Sequence, residues 1–348
     1  MPDGRTTIRE LARLSGLSVG TVSKALNGYP DVHDDTRARV LRLADELDYT
    51  PNAAARTLIT ERSHVIGVFL EVGRGHPDIQ HPFFHGVLVG LKDYIGPAGF
   101  DLLLFASEKP GGGFGPHSYL KRCRHHRVDG TVLFGVRADD PEMERLLRAG
   151  IPCVGVDVEL HGATCAYVMS DNVEGGAMAV KHLAQSGHRA IATIAGPLET
   201  RPGRDRLTGY REEIQRRGLA YRDDYVAYGD FYVESGEEQM HRLLALPERP
   251  TAVFAASDLM AVGALRAAGA AGLRVPEDIS VMGFDDTFMA EHTNPPLTTL
   301  KQDKRGIGAA AGEAVVQRIE KAEDPPQEVT LPVELVVRAS TGPAPEGS

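Results

Sequence analysis

The residues best placed to do chemistry lie near the amino terminus. Ser18, Thr21 and Ser23 set three hydroxyls around Lys24, and Asn27 follows within the same short stretch. Hydroxyls, amides and a lysine on one helix are the donors that DNA phosphates accept, and a helix lying in a major groove reads base edges from its first turns. On that geometry Val19, Gly20 and Lys24 are the base-facing positions. Lys24 can donate to guanine O6 and N7, Val19 offers only apolar contact, and Gly20 has no side chain to offer. Ser18, Thr21, Ser23 and Asn27 would hold phosphates and so position the helix without reading sequence. The plainer alternative for Ser18 and Thr21 is helix capping, and for Lys24 a solvated surface lysine.

Other reactive side chains lead nowhere comparable. His81 and His85 stand four apart, and His125 and His126 are adjacent. His81 precedes a proline at a helix entrance, which argues against a well-built pair of metal ligands. Cys123, Cys153 and Cys165 are odd in number and form no CxxC pair. A disulfide framework or zinc site is therefore not expected, and a reducing cytoplasm fits. Gly111-Gly112-Gly113-Phe114-Gly115 lacks the Lys-Ser/Thr of a phosphate loop and reads as a surface loop. No Ser-His-Asp order or Walker loop accompanies these groups. The expectation is no catalytic residue, no metal and no cofactor.

The bulk numbers say what carries the chemistry. At 348 residues the chain is long enough for two or three domains, and 42% hydrophobic with 25% charged residues is a globular composition. The formal net charge is -10, yet residues 1–62 hold nine Lys+Arg and nine Asp+Glu, a net of zero. The whole excess of negative charge therefore sits in the remainder. An acidic body repels DNA except where the head docks, and a neutral head binds weakly alone. The polar N-terminus is not a secretory signal, and no apolar run approaches the ~20 residues of a membrane span.

The elements that must position these residues follow from periodicity. Ile8, Leu11, Ala12 and Leu14 repeat at helical spacing after Thr7, an N-cap with Glu10 as its capping-box partner. A break at 16–18 precedes a second helix over 19–27 anchored by Val22, the outline of a helix-turn-helix. Ala12 and Gly16 read as the small residues where the two helices approach. A third helix is expected over 34–47. Pro51 ends it and Asn52 caps a short alanine-rich helix, 53–59, too short to be stable alone. From residue 64 onward, β-type runs alternate with amphipathic helices. Strands are expected at 65–70, 101–106, 130–134, 152–156, 167–170, 190–194, 225–228, 252–255 and 279–283. This is a doubly wound α/β body, and so many strands divide naturally into two lobes with ligand at the strand ends between them.

These residues together resemble the lactose-repressor (LacI/GalR) family of bacterial transcription regulators. The resemblance rests on the run from Leu17 to Asn27, on Tyr49-Thr50-Pro51-Asn52 and on Leu58. In the body it rests on His81-Pro82-Phe83-Phe84, Ser170-Asp171-Asn172, Gly187-His188, the run from Arg206 to Tyr210, Ala256-Ser257-Asp258, the run from Pro276 to Asp286, and the run from Pro296 to Leu300. It spans about residues 7–338. It implies an N-terminal all-α helix-turn-helix headpiece over 1–49, a hinge helix and linker over 50–63, and an effector-binding, dimerising body over 64–340. That body is an α/β pair of lobes of periplasmic-binding-protein type I with doubly wound parallel sheets. Its lobes are expected at about 64–168 with 300–329, and 169–299 with 330–340, leaving 341–348 as a tail. The tail has no leucine heptads, so a homodimer without a tetramer-forming coil is expected.

The resemblance also implies roles. Two hinge helices pair across a dimer in the minor groove, where Leu58 wedges between base steps and Ala55 allows the close approach. Thr7 and Asn52 join the DNA-facing set. Phe84, Asp157, Arg206, Phe231, Ser257, Asp285 and Gln302 are the effector contacts, the phenylalanines as walls and the others as polar grips. Asp171 and Asn172 read as capping the helix that follows them. The function implied is a transcriptional regulator, most naturally a repressor. It binds a palindromic double-stranded operator as a homodimer, under allosteric control by a small molecule, a sugar or sugar derivative. The rivals are a sugar-binding protein with no regulatory role, and an enzyme. The sign of the effector's action is not legible.

Overall fold

The computed structural model describes residues 6–49, 62–70, 81–106, 118–136, 140–321 and 327–345. The hinge positions Asn52, Ala55 and Leu58 and the glycine run 111–115 lie outside these. The chain divides into two units, residues 1–63 and 64–348.

The first unit holds three helices: α1 (Ile8–Ser15), α2 (Val19–Leu26) and α3 (Asp34–Glu46). Leu11, Ala12, Val22, Ala25, Val32, Val40 and Ala44 form its core. Thr7 caps α1 by accepting from the Glu10 amide at 3.3 Å. Gly16 was expected to serve close packing. It is instead the left-handed C-cap of α1 at φ 68°, with open space where a Cβ would stand. What the position needs is the backbone conformation that glycine adopts without strain, and this turn re-aims the chain into α2.

The second unit is built on two six-stranded sheets. The first contains β1 (Val65–Leu70), β2 (Asp101–Phe105), β3 (Gly130–Phe134), β4 (Cys153–Val156), β5 (Cys165–Ser170) and β11 (Glu328–Leu331), in the order β11-β5-β4-β3-β1-β2, all parallel. The second contains β6 (Ile191–Ala195), β7 (Val226–Tyr228), β8 (Ala252–Ala255), β9 (Ser280–Asp285), β10 (Thr298–Gln302) and β12 (Val333–Val336), in the order β12-β10-β9-β8-β6-β7. Among the described residues only the β10–β12 pair is antiparallel. Helices cover both faces: α4 (Pro82–Ile95), α5 (Tyr119–His126), α6 (Pro141–Arg148) and α12 (Lys304–Glu320) on the first sheet. On the second are α7 (Asn172–Gln185), α8 (Arg201–Arg216), α9 (Val233–Leu244) and α10 (Asp258–Ala270), with the short α11 (Phe288–His292) near its edge. Each sheet accordingly has two apolar clusters, one per face. The central strands β3, β4, β6 and β8 are buried on both sides, as parallel strands between helix layers must be.

The chain crosses between lobes three times, after β5, after β10 and between β11 and β12. The crossings differ by a few residues from those expected. Residues 300–302 complete β10 of the second sheet, and 330–331 complete β11 of the first. The strands β10 and β11 are rich in polar residues and β12 is only four residues long, so they carry too little apolar periodicity to be read in advance. The expected tail is also corrected as far as residue 345. The Thr341 hydroxyl bonds His182 at 2.9 Å, Gly342 lies between Ser280 and His188, and the Ala344 amide donates to the Ser186 carbonyl at 2.9 Å. This segment is fastened to the second lobe.

Candidate functional site

In the first unit α2 carries the candidate reading surface. Ser18 is its N-cap, accepting from the Thr21 amide at 3.1 Å and sharing a 2.9 Å hydrogen bond with the Thr21 hydroxyl. The capping alternative therefore holds for these two, while both hydroxyls stay at or near the surface. Val19 and Gly20 are exposed and Val22 is fully buried, which turns the first turn of α2 outward. Ser23 is half-buried, and its carbonyl accepts from the Asn27 side-chain amide at 2.8 Å, so Asn27 closes the helix. Lys24 is exposed and ion-paired with Asp31. The hydrogen bond and charge of Asp31 hold its ammonium above the ordinary lysine value. Lys24 must leave Asp31 to reach a base.

The second site is a cavity of about 280 Å³ between the lobes. Its walls follow from topology. Val136 follows β3, Asp157 and Glu159 follow β4, Arg201 and Arg206 lie on α8 after β6, and Phe231 follows β7. Asp285 and Gln302 end β9 and β10. All stand at the carboxyl ends of strands, so the two sheets present the same edge to one cavity, where open α/β sheets bind ligands. Of the expected contacts, Phe84, Asp157, Arg206, Phe231, Asp285 and Gln302 are brought together here. Ser257 is not. It is fully buried as the N-cap of α10, its hydroxyl donating to the Phe231 carbonyl at 3.0 Å and accepting from the Met260 amide at 3.1 Å. Its one hydroxyl proton is committed to backbone, and the residue lies outside the cavity lining.

Arg206 is the fixed point of the site. Its Nε donates to Asn172 Oδ1 at 2.8 Å and a terminal nitrogen donates to the Ala256 carbonyl at 2.6 Å. The guanidinium lies 3.7 Å from the centroid of Phe284 and 3.8 Å from Asp285 Oδ1. Asn172 thus orients the arginine, while its neighbour Asp171 caps α7. The helix placement is equally constrained. Gly176 of α7 abuts the carbonyl of Arg206 itself, and Gly209 of α8 abuts that of Val173, so the two helices touch backbone to backbone. A Cβ at either glycine would meet backbone of the other helix and force the two helices apart, shifting the element that carries Arg206.

Asp285 sits in the left-handed region at φ 117°, as do Asp157 at 59° and Phe231 at 74°. Non-glycine residues held there store about 1–3 kcal/mol each and gather at ligand sites. Lys304 fixes the Asp285 turn by donating to the carbonyls of Asp285 and, at 3.0 Å, Asp286. Gln302 Nε2 donates to Asp285 Oδ1 at 2.6 Å. Asp286 is engaged away from the cavity by Arg338 at 2.7 Å.

Three buried polar atoms of the cavity wall make no hydrogen bond: Asp157 Oδ1, Asp285 Oδ2 and Gln302 Oε1. All three are acceptors, and a buried acceptor without a donor costs about 1–3 kcal/mol. Burial pushes the Asp157 carboxyl up to about 6, against the pull of the Arg206 charge. Burial also holds His81 below the ordinary histidine value. His81 was expected only as a poor metal ligand. It caps α4, its Nδ1 taking the Phe83 amide at 3.4 Å, and its other nitrogen faces the cavity. Among the described residues no cluster of His, Cys, Asp and Glu gathers as for a metal.

Sequence reasoning missed the outer wall, where Glu159, His161, Glu199, Thr200, Arg201 and Arg204 stand. Glu159 belongs to the first lobe and Arg201 to the second, and their ion pair links the lobes at the cavity. Opposite charges just beyond the ends of β4 and β6 were the available signal.

The comparisons with known proteins agree with this division. Residues 7–52 match the family model described as bacterial regulatory proteins, lacI family. Residues 180–341 match a periplasmic binding protein-like domain. The HTH-type transcriptional regulator CelR of Thermobifida fusca is 38% identical over 97% of this chain and 98% of its own length. The chain belongs to the LacI family. It is a helix-turn-helix transcriptional regulator and not an enzyme. Among solved structures of LacI relatives, a CelR–cellobiose complex shares 36% identity, covers 97% of this chain and 100% of its own, and superposes with a TM-score of 0.74. The lac repressor dimer bound to operator and the anti-inducer ONPF shares 29% identity, covers 97% of this chain and 99% of its own, and gives 0.82. Among the described residues no helix is long and apolar enough to cross a membrane.

Proposed function

We propose that this chain is a cytoplasmic transcriptional repressor that binds a palindromic duplex operator as a homodimer and is controlled by a neutral sugar in the inter-lobe cavity. The hinge and linker are assigned to 50–63 and effector binding to the body. The observation that carries the effector half is the convergence of Asp157 Oδ1, Asp285 Oδ2 and Gln302 Oε1, all buried and unpartnered, on one cavity. Three acceptors call for a ligand rich in hydroxyl donors. Two carboxylates face one guanidinium in the inner cavity, which disfavours an anionic sugar. Phe84 and Phe231 supply apolar faces for a sugar ring. The sugar-bound relative directs the choice to cellobiose and similar β-linked glucosides.

The DNA half rests on the outward first turn of α2 and on the family model matched to residues 7–52. Calorimetry with cellobiose, glucose and glucuronate, beside gel shifts on DNA from the region upstream of its own gene, tests both halves. Cellobiose is expected to bind and to change the shift. Saturable glucuronate binding with none for the neutral sugars would refute the effector reading. Light scattering at dimer mass is expected in both states, and a stable tetramer would contradict the assembly.

A further inference from the structure

The strongest unexplained feature of the body is the surface of α5. Six of the nine residues 119–127 are Lys, Arg or His and none is acidic, in a chain whose net charge is -10. The helix turns Tyr119 and Cys123 into the core and presents Lys121, Arg124, His125, His126 and Arg127 to solvent. Arg122 is held flat, 4.7 Å from the Phe105 centroid. Lys121 and Arg124 lie three apart and so share a face, and Arg127 follows at the left-handed C-cap. Several other surface cations of this lobe are matched: Arg145 to Glu142, Arg148 to Glu144 and Lys92 to Asp93. Lys121, Arg124 and Arg127 have no ion pair among the described residues. The helix dipole favours cations only in the last turn, whereas Lys121 lies in the first.

Position says what the patch faces. Arg127 leads to Asp129, whose amide donates to the Val65 carbonyl at 2.9 Å and whose carboxylate accepts from the His64 amide at 2.8 Å. The cationic end of α5 therefore stands where the chain arriving from the first unit enters β1. This is the amino-terminal edge of the sheet, opposite the edge that lines the cavity. Neither this end of α5 nor Lys121 in its first turn lines the effector cavity.

We infer that the Lys121–Arg124–Arg127 surface of α5 is a second contact for duplex DNA, gripping phosphates without reading sequence. It supplies the basicity that the neutral head lacks. Its charge complements the polyphosphate backbone, which is bound by lysine and arginine with release of counterions. The inference rests on the proposed duplex binding of the first unit.

The test uses the full chain and two labelled duplexes of equal length, one from the region upstream of its own gene and one of mixed sequence. Binding is titrated by anisotropy from low to moderate salt. In the variant carrying Lys121→Gln, Arg124→Gln and Arg127→Gln, affinity for both duplexes is expected to fall by the same factor. The plot of log affinity against log salt is expected to become shallower by about 0.9 for each phosphate no longer gripped. Arg124→Gln alone gives an intermediate slope, and Lys24→Ala instead erodes the preference between duplexes. Circular dichroism and thermal melting like those of the unaltered chain show that the variant is folded. Unchanged affinity and slope in a folded triple variant overturn this inference alone, as they would for a patch that serves an acidic protein. Failure of the unaltered chain to bind either duplex overturns the duplex reading and this inference with it.

Discussion

Acidification is expected to weaken effector binding through Asp157. Its carboxyl stands directly after β4, with Oδ1 buried and unpartnered, and burial raises it from 3.8 to about 6. A sugar hydroxyl donating to Oδ1 stabilises the charged form, so binding draws the carboxyl back towards 3.8. The sign follows by linkage: the ligand prefers the ionised state, so its affinity is full above about pH 6 and declines below it. Between pH 7 and pH 5 the free site goes from mostly ionised to about one-tenth ionised, which weakens binding roughly tenfold, or about 1.4 kcal/mol. The ligand-free fold responds in the opposite sense. A carboxyl raised by burial favours the folded state below its unfolded value of 3.8, and that contribution is lost as pH rises through about 6. Thermal stabilisation by effector should therefore be larger at pH 7.5 than at pH 5. The assay is calorimetric titration of cellobiose over pH 5 to 8, with Asp157→Asn beside it. The variant is expected to bind more weakly and to lose the slope. Any slope that remains in it belongs to the other ionisable groups of the lining, among them His81, which burial holds below the ordinary histidine value. Affinity that is flat, or that rises on acidification, would refute the argument, because the site would then hold Asp157 as a protonated donor.

Three further outcomes follow from the packing. Ser257→Ala removes the α10 cap and should cost about 1 kcal/mol in chemical denaturation while leaving effector affinity unchanged, since its hydroxyl serves only backbone. Gly176→Ala forces a Cβ against the Arg206 carbonyl, and an overpacking cost of about 1–3 kcal/mol should appear with a loss of effector affinity. Asp31→Ala frees Lys24 and removes a negative charge beside it, so DNA affinity in an anisotropy titration should rise, most at low salt.

What was legible in the chain, and what was not, follows from how each feature is encoded. Buried parallel strands are continuous apolar runs, so β1, β3 and β8 were visible in the residues themselves. The strands β10, β11 and β12 are short, β10 and β11 are also rich in polar residues, and neighbouring strands complete their hydrogen bonding. Phe84, Asp157, Arg206, Phe231, Asp285 and Gln302 were legible through family resemblance, and each lies beyond a strand end where topology expects ligands. Ser257 misled because a hydroxyl after a strand serves equally as a cap or as a ligand contact. Only the three-dimensional course of residues 229–232 shows that the Phe231 carbonyl claims it. His81 was hidden for the converse reason: its capping role was visible from Pro82, but its place in the cavity wall was not.

The pairing of Glu159 with Arg201 could be suspected from charge but not placed, because the partners come from different lobes and meet only when the sheets share an edge. The same fact suggests how the cavity is controlled. Arg206, Phe231 and Asp285 belong to the second lobe, whereas Phe84 and Asp157 belong to the first, and the lobes are joined by three short crossings. A ligand that satisfies Asp157 Oδ1 and Asp285 Oδ2 together favours whichever lobe separation lets one molecule reach both. Its influence on the rest of the chain is limited to the difference between its affinities for the two separations. On the proposed function, the unpaired acceptors would be the reason the site binds, and their division between lobes the reason binding would have a conformational consequence.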